Sequence, residues 1–266
     1  MPPVIALLSD FGLRDHYVGT MKGAILGIAP ESVLVDLTHD IPAHDVLQGS
    51  LQLAAACSYF PAGTVFVAVV DPGVGSARRA IAIEAGGYRF VAPDNGLLTA
   101  ALATRAPRQI VQITERRYAL PAISRTFEGR DRFGPAAAWL ARGTALNELG
   151  PALADYARLE IPVLRATGDA LCGTVLYVDR FGNAVTNIDR RTFEAFAPGH
   201  QLRIEVAGHA VGEPVETYAQ IPPDAVAALF GSSDHLEVAM NAASAAARLG
   251  LAPGARVVVS RGGARP

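Results

Sequence analysis

Apolar runs alternate with helix-like segments between residues 4 and 142 of the chain. Most residues of the runs are apolar, which is typical of strands in a buried, mainly parallel sheet, and the segments between them repeat apolar residues at helical spacing. The β-α-β-α-β order predicts a three-layer α/β domain, with a mainly parallel sheet covered by helices on both faces. The predicted strands are residues 4–8, 32–37, 64–68, 80–84, 88–92 and 109–113, of which 80–84 and 88–92 form a hairpin, and the predicted helices are 17–28, 45–60, 97–104 and 135–142.

The pattern changes after about residue 165, where short strand-like runs follow one another with Gly and Pro between them. This spacing predicts a second, smaller and largely antiparallel β domain. We therefore expect domains at 1–162 and 163–266, joined by a linker within 161–168. The predicted strands are 170–178, 201–206, 211–218, 236–239 and 256–260, and the only predicted helix is 241–249.

Three polar residues follow predicted parallel strands of the first domain: Asp10, His39 and Asp71. Ligands of such sheets bind at the carboxyl ends of the strands, so this edge is the predicted active edge. After Asp71 the loop contains two glycines and reaches Arg78, which can return to pair with the carboxylate beside a small molecule. A tight turn closed by an ordinary ion pair is the structural alternative.

Composition excludes several classes of partner. The chain has a formal net charge of −2, with 50% hydrophobic and 18% charged residues, and no block of like charges. A nucleic-acid partner needs a basic face, and a membrane span needs a longer apolar stretch, so we expect neither. The start of the chain lacks the basic segment of a secretory signal. Cys57 and Cys172 lie in apolar segments without C-x-x-C spacing, which predicts small core residues of a reduced, cytoplasmic protein. No histidine, cysteine or carboxylate pattern matches a metal motif, and we expect no cofactor.

Several motifs, in order along nearly the whole chain, carry a resemblance to a known family. The chain resembles the S-adenosylmethionine (SAM) hydroxide adenosyltransferases, which are adenosine-forming SAM hydrolases related to the SAM-dependent fluorinase and chlorinase. The motifs are S-D-F-G-x-x-D at 9–15, Y-V-G-x-M-K-G at 17–23, V-D-P-G-V-G at 70–75, P-D-N-G-L-L at 93–98, D-x-F-G-N at 179–183, and G-S-S through L-E-x-A-x-N at 231–241.

The resemblance implies a small-molecule substrate, SAM, and a homotrimer whose active sites lie between the N-terminal domain of one subunit and the C-terminal domain of the next. It also implies a set of substrate-binding residues. Asp10 would bind the ribose hydroxyls, Asp15 and Asp179 the methionine ammonium, Ser232 and Ser233 the methionine carboxylate, Asn183, Asn241 and Ala242 the adenine edge, and Phe181 and Tyr218 the adenine faces, with Gly129 also in contact with substrate.

The implied reaction is attack of water or hydroxide on ribose C5′, which releases adenosine and L-methionine. In the family an Asp, an Arg and a His activate the water, and Asp71 and Arg78 match the first two. The third position departs from the family pattern, because T-F-E-G-R-D at 126–131 has Glu128 where the histidine usually stands. We expect Asp71 and Glu128, flanking one arginine, to act as a coupled base.

Two other interpretations remain open at this point. If Glu128 cannot replace the histidine, the chain would be a SAM- or adenosine-binding protein with little catalysis. Alternatively, it would transfer the adenosyl group to another nucleophile, although Asp71 favours water over a halide.

Overall fold

A computed structural model describes residues 2–264 apart from Ala197 and Gly199. The chain divides into two compact units, Met1–Ile161 and Pro162–Pro266. None of the helices in the described part of the chain has the length and apolarity needed to cross a bilayer.

The first unit is built on a six-stranded sheet in the order β2-β1-β3-β5-β4-β6. The pairs β1–β2, β1–β3 and β3–β5 are parallel, whereas β4 runs antiparallel to β5 and β6. The predicted mainly parallel sheet and its hairpin are confirmed. The strands are β1 Val4–Ser9, β2 Val33–Thr38, β3 Val65–Val69, β4 Ala80–Ala85, β5 Tyr88–Pro93 and β6 Pro107–Gln112.

Helices cover both faces of this sheet, as the sequence predicted. Successive side chains of a strand point to opposite faces, so Leu7 packs with one helix layer and Leu8 with the other. The first layer contains α1 and α4, and the second contains α2 and α3. The helices are α1 Tyr17–Ile28, α2 Val46–Cys57, α3 Thr99–Leu102 and α4 Gly134–Ala141.

The second unit is an antiparallel sheet in the order β11-β10-β14-β8-β9-β13-β12, with β7 also paired to β8. This confirms the predicted antiparallel β fold. The strands are β7 Arg165–Thr167, β8 Ala170–Val178, β9 Ala184–Asp189, β10 His200–Val206, β11 His209–Ala210, β12 Val226–Phe230, β13 His235–Met240 and β14 Arg256–Ala264, and the helices are α5 Arg190–Phe196 and α6 Ala245–Leu249.

Several details of the second unit were predicted wrongly. Residues 211–218 do not form a strand, because Gly212 and Pro214 interrupt them and only Val215 makes a β-bridge, to Leu229. Part of the expected linker is strand β7, and α6 is shorter than the helix predicted at 241–249. Helix α5 was missed, although the Asp189 carboxylate caps it by accepting a hydrogen bond from the Thr192 N–H at 2.9 Å.

Candidate active site

The carboxyl ends of β1 and β3 bring two aspartates to one edge of the sheet. Ser9 is paired in register with Val69 across these neighbouring parallel strands, so Asp10 and Asp71 leave the sheet close together. Both line a cavity of about 270 Å³, called here the rim cavity. Its other lining residues are Phe11, Tyr17, Ala43, His44, Val69, Val74, Thr126, Phe127, Glu128 and Gly129.

One arginine joins the two carboxylates that the sequence singled out. The Nε of Arg78 donates to Asp71 Oδ1 at 2.9 Å, and its Nη2 contacts Asp71 Oδ2 and donates to Glu128 Oε2 at 2.5 Å. The side chains of Asp71, Arg78 and Glu128 are 5%, 10% and 12% exposed. Burial acts to lower the pKa of Arg78, but the two carboxylates outweigh it and raise that pKa. The guanidinium therefore remains charged and holds both carboxylates in place.

A single wide turn positions Glu128. Residues Gly129–Phe133 form a π-helical turn before α4, and such turns are frequently found at functional sites. The turn brings the Nη2 of Arg132 to 3.4 Å from Glu128 Oε1. Glu128 thus lies between two guanidiniums, and the sequence analysis did not identify the second, because a helix of ordinary pitch was expected only from residue 135.

Aromatic rings form the apolar wall of the rim cavity. Phe11, Tyr17 and Phe127 pack edge to face, with ring centroids 5.2 to 6.2 Å apart. Phe133 lies behind the cavity, with its ring centroid 5.3 Å from the guanidinium carbon of Arg78. The rings exclude water on one side of the charged groups, which strengthens electrostatic interactions there.

A backbone N–H from a residue in an unusual conformation fixes the Asp10 carboxylate. The N–H of His44 donates to Asp10 Oδ2 at 2.9 Å, and His44 adopts φ of 70°, which is uncommon for a residue other than glycine. The exposed His44 imidazole lines the rim cavity, a placement that the sequence analysis did not predict. Asp15, in contrast, is exposed before α1 and is not among the residues that line the cavity.

His39 lies behind the predicted edge rather than in the cavity. Its Nδ1 is 2.7 Å from Ser9 Oγ, and its Nε2 is 3.1 Å from Asp36 Oδ1, while Lys22 Nζ donates to Asp36 Oδ2 at 2.6 Å. Burial acts to raise the pKa of Asp36, but the hydrogen bonds from Lys22 and His39 outweigh it and leave that pKa lowered. Ser9 Oγ also accepts a hydrogen bond from the Phe11 N–H at 3.3 Å, so this chain of contacts fixes the turn that carries Asp10.

The second unit contains a larger cavity, of about 460 Å³, called here the aromatic cavity. It brings together four of the predicted substrate-binding residues: Phe181, Asn183, Tyr218 and Ala242. Met240, Ala243 and Ser244 complete its lining, and the sequence analysis did not single them out.

Asp179 closes the turn that places Phe181 and Asn183. Its Oδ1 accepts hydrogen bonds from the N–H groups of Phe181 and Asn183 at 2.9 and 2.8 Å, and its Oδ2 accepts one from Asn183 Nδ2 at 2.9 Å. The amide oxygen of Asn183 makes none of these contacts. Gly182 has φ of 85°, and a Cβ there would overlap Ser244, so this turn requires glycine.

The remaining predicted residues are close in sequence to this cavity but do not line it. Ser232 and Asn241 are exposed and Ser233 is half-buried. The Ser233 carbonyl oxygen lies 2.9 Å from His235 Nδ1, which fixes the turn before β13. Within the described residues, no group of three or more His, Cys, Asp and Glu side chains is placed to hold a metal ion.

Comparison with known proteins identifies similar chains. The model of the SAM hydroxide adenosyltransferase N-terminal domain matches residues 5–150, and that of the C-terminal domain matches residues 173–258. The (R)-S-adenosyl-L-methionine hydrolase of Salinispora tropica is 39% identical over 263 residues, covering 98% of each chain. The fluorinase of Nocardia brasiliensis is 31% identical over 293 residues, covering 98% of this chain and 97% of its own. A solved structure of an uncharacterized conserved protein from Thermotoga maritima has a TM-score of 0.91 at 32% identity, covering 97% of this chain and 100% of that chain.

Proposed function

The chain belongs to the SAM hydroxide adenosyltransferase family, and from that premise we propose that it hydrolyses S-adenosyl-L-methionine to adenosine and L-methionine. The observation that carries the proposal is the pair of largely buried carboxylates, Asp71 and Glu128, joined by Arg78 at the rim cavity. This arrangement offers proton acceptors at a site that can receive a small molecule.

The proposed reaction is displacement at ribose C5′. A water oxygen forms the new C5′–O bond while the C5′–S bond breaks, and both electrons of that bond remain on sulfur. Methionine therefore leaves as a neutral thioether and needs no general acid. The proton of the attacking water passes to the pair formed by Asp71 and Glu128, which Arg78 and the aromatic wall keep oriented and partly dry.

In the first unit, Asp10 is the proposed ligand of the ribose hydroxyls. The His44 N–H occupies its Oδ2, which leaves Oδ1 to accept a hydrogen bond from a hydroxyl group. Gly129 lines the same cavity and is a further proposed contact with the substrate. Asp15 is the proposed partner of the methionine ammonium.

In the second unit, the aromatic cavity is the proposed adenine site. Phe181 and Tyr218 offer aromatic faces for the base, and the amide oxygen of Asn183 can accept a hydrogen bond from its amino group. The remaining proposed contacts are Asn241 and Ala242 for the adenine edge, Ser232 and Ser233 for the methionine carboxylate, and Asp179 for the ammonium.

We further propose that the protein is a homotrimer, in which the first unit of one subunit and the second unit of its neighbour bind the same substrate molecule. Light scattering coupled to size-exclusion chromatography gives the mass directly. A mass of one chain of 27.8 kDa at assay concentrations, with full activity, would contradict the trimer.

The test of the function is product analysis. Purified protein is incubated with S-adenosyl-L-methionine, and we expect adenosine and methionine in equal amounts, with oxygen from labelled water at C5′. Binding without product would favour the SAM-binding alternative, for which the engagement of both carboxylates by Arg78 is the supporting observation. A 5′-halogenated nucleoside formed in the presence of halide would favour another nucleophile.

A further inference from the structure

Glu237 is a buried carboxylate for which the proposed reaction has no use. It lies on β13, is only 6% exposed, and does not line the aromatic cavity. Within the described residues, neither Glu237 nor Asp179 forms an ion pair with a lysine or arginine. A carboxylate this deeply buried without a lysine or arginine partner is costly, which indicates a specific role.

Its contacts connect two parts of the predicted substrate site. The Tyr218 O–H donates to Glu237 Oε2 at 3.0 Å, so the carboxylate anchors the ring that forms one wall of the aromatic cavity. On its other side the carboxylate lies against Gly231, where a Cβ would overlap it. Gly231 begins the turn that carries Ser232 and Ser233.

Of the two charged groups that act on Glu237, Asp179 has the larger effect and His235 the smaller. Burial raises its pKa, the charge of Asp179 raises it further, and a hydrogen bond from Tyr218 and the charge of His235 act in the opposite direction. The pKa of Tyr218 is raised to about 12 by burial and by the charges of Glu237 and Asp179. Tyr218, Asp179 and His235 are thus the titratable groups that influence Glu237, and Asp179 is close enough for the two carboxylates to repel each other.

We propose that Glu237 is a positioning and selectivity residue of the aromatic cavity: it anchors Tyr218 for the nucleoside, and its negative charge gives the site its preference for a cationic nucleoside over a neutral one. The proposal rests on the proposed function, because it takes the ligand to be a charged adenine nucleoside. A cation that binds near Asp179 relieves the repulsion between the two carboxylates, whereas a neutral nucleoside does not.

A dependence on pH follows from this arrangement. At low pH Glu237 holds a proton and contributes no negative charge, and as the pH rises through its raised pKa the charge appears. A cationic ligand favours the ionised form, so its affinity rises across that range. The affinity for a neutral nucleoside stays nearly constant.

Calorimetry with two ligands that the protein cannot cleave tests this. Sinefungin carries a cationic amine in place of the sulfonium, and adenosine is neutral. In wild-type protein we expect the affinity ratio of sinefungin to adenosine to rise on the order of tenfold as the pH rises through the raised pKa of Glu237, as for a one-unit change of pKa on binding. In Glu237→Gln the amide oxygen still accepts from Tyr218, so adenosine affinity is retained while the rise with pH disappears. A Glu237→Gln protein with the full rise would overturn the proposal.

Three further variants separate the charge from the anchor. Glu237→Ala and Gly231→Ala both remove or displace the carboxylate next to Tyr218, and we expect each to weaken adenosine binding at every pH. Unchanged adenosine affinity in both would contradict the anchoring role. His235→Asn is the control for the neighbouring imidazole. In this variant the affinity ratio of sinefungin to adenosine should still rise with pH. If the rise disappears, the imidazole rather than Glu237 causes it, and the proposal is overturned.

Adenosine release from S-adenosyl-L-methionine, measured on the same samples, separates this proposal from the proposed function. If wild-type protein releases adenosine but Glu237→Gln has the same ligand selectivity as wild type, only the proposed role of Glu237 is overturned. A wild-type protein that neither binds the two nucleosides nor releases adenosine overturns both.

Discussion

The rim cavity of the first unit has its charged groups on its surface, whereas the aromatic cavity of the second unit has them behind an apolar wall. In the rim cavity, Asp71 and Glu128 are joined by Arg78, and Asp10 accepts an N–H. In the aromatic cavity the lining is mostly aromatic and aliphatic, and Asp179 and Glu237 lie behind it.

Under the proposed function, the difference separates chemistry from recognition. Paired charges at a cavity surface are already oriented, so they can act on a reacting atom without reorganising. Apolar faces bind a base by contact area and tolerate small changes of position. We therefore expect substitutions of Asp71 and Glu128 in the first cavity to affect kcat, and substitutions of the aromatic wall of the second to affect KM. The following predictions run from the largest expected effect to the smallest.

Asp71→Asn should affect kcat most. The amide keeps the shape of the side chain but cannot accept the proton of water, and general-base catalysis is typically worth about 10²- to 10⁴-fold. We expect kcat for adenosine release to fall in that range with KM changed less than about threefold. Asp155→Asn, which alters an exposed carboxylate paired with Arg79, is the matched control and should retain activity. A similar loss in the control would show that the effect is not specific to the cavity.

Glu128→Gln should lower kcat by a smaller amount, about 10- to 100-fold, because Asp71 remains to accept the proton. The loss of one carboxylate from Arg78 and Arg132 leaves these guanidiniums less well paired. The pH–rate profile should lose one ionisation. Unchanged activity and an unchanged profile would remove Glu128 from the mechanism.

Tyr218→Ala should change KM rather than kcat. Removal of one aromatic face costs on the order of 1 kcal/mol, which corresponds to a roughly fivefold rise in KM. Tyr59→Ala is the control, since Tyr59 is 83% exposed and lies in the first unit. A fall in kcat with KM unchanged would break the division between the two cavities.

Lys22→Gln should have the smallest effect, and it concerns stability. The ion pair with Asp36 is partly exposed, so after solvent screening it contributes less than about 1 kcal/mol. Because the folded-state pKa of Asp36 is lowered, this contribution is present above the unfolded pKa and is lost as the pH falls through the folded value. The free energy of unfolding, measured in urea, should therefore be lower for the variant than for wild type at neutral pH, and the two should be equal at acid pH. A difference independent of pH would contradict this account.

Much of the first unit was predictable because its signals are local. Helix α1 has the predicted bounds. The Gly-rich turn after Asp71 brings Arg78 back to the Asp71 carboxylate, as predicted. The tight turn closed by an ordinary ion pair, which was the alternative interpretation, involves this same contact. Strands β1 and β3, which are buried on both faces, are almost entirely apolar, and the sequence shows this directly.

The remaining features depend on contacts that are distant in the sequence. No characteristic residue pattern marks the π-helical turn that brings Arg132 to Glu128. His44 lies at the rim cavity because its N–H donates a hydrogen bond to Asp10, which is 34 residues away in the sequence. In the second unit, β12 and β9 were missed because their pairing with β13 determines them more than their own residues do.

The contacts of Ser9, His39 and Asp36 have a consequence for how this fold is recognised. A hydroxyl, an imidazole and a carboxylate follow one another in contact, as in a serine hydrolase, but the two ring nitrogens are exchanged: Nδ1 faces the hydroxyl and Nε2 faces the carboxylate. A comparison by residue type alone would therefore confuse this arrangement with a catalytic triad. The hydroxyl is fully enclosed, however, and its lone pairs face the Phe11 amide rather than an acyl group. Accessibility of the nucleophile, tested before geometry, distinguishes such internal scaffolding from a reactive triad.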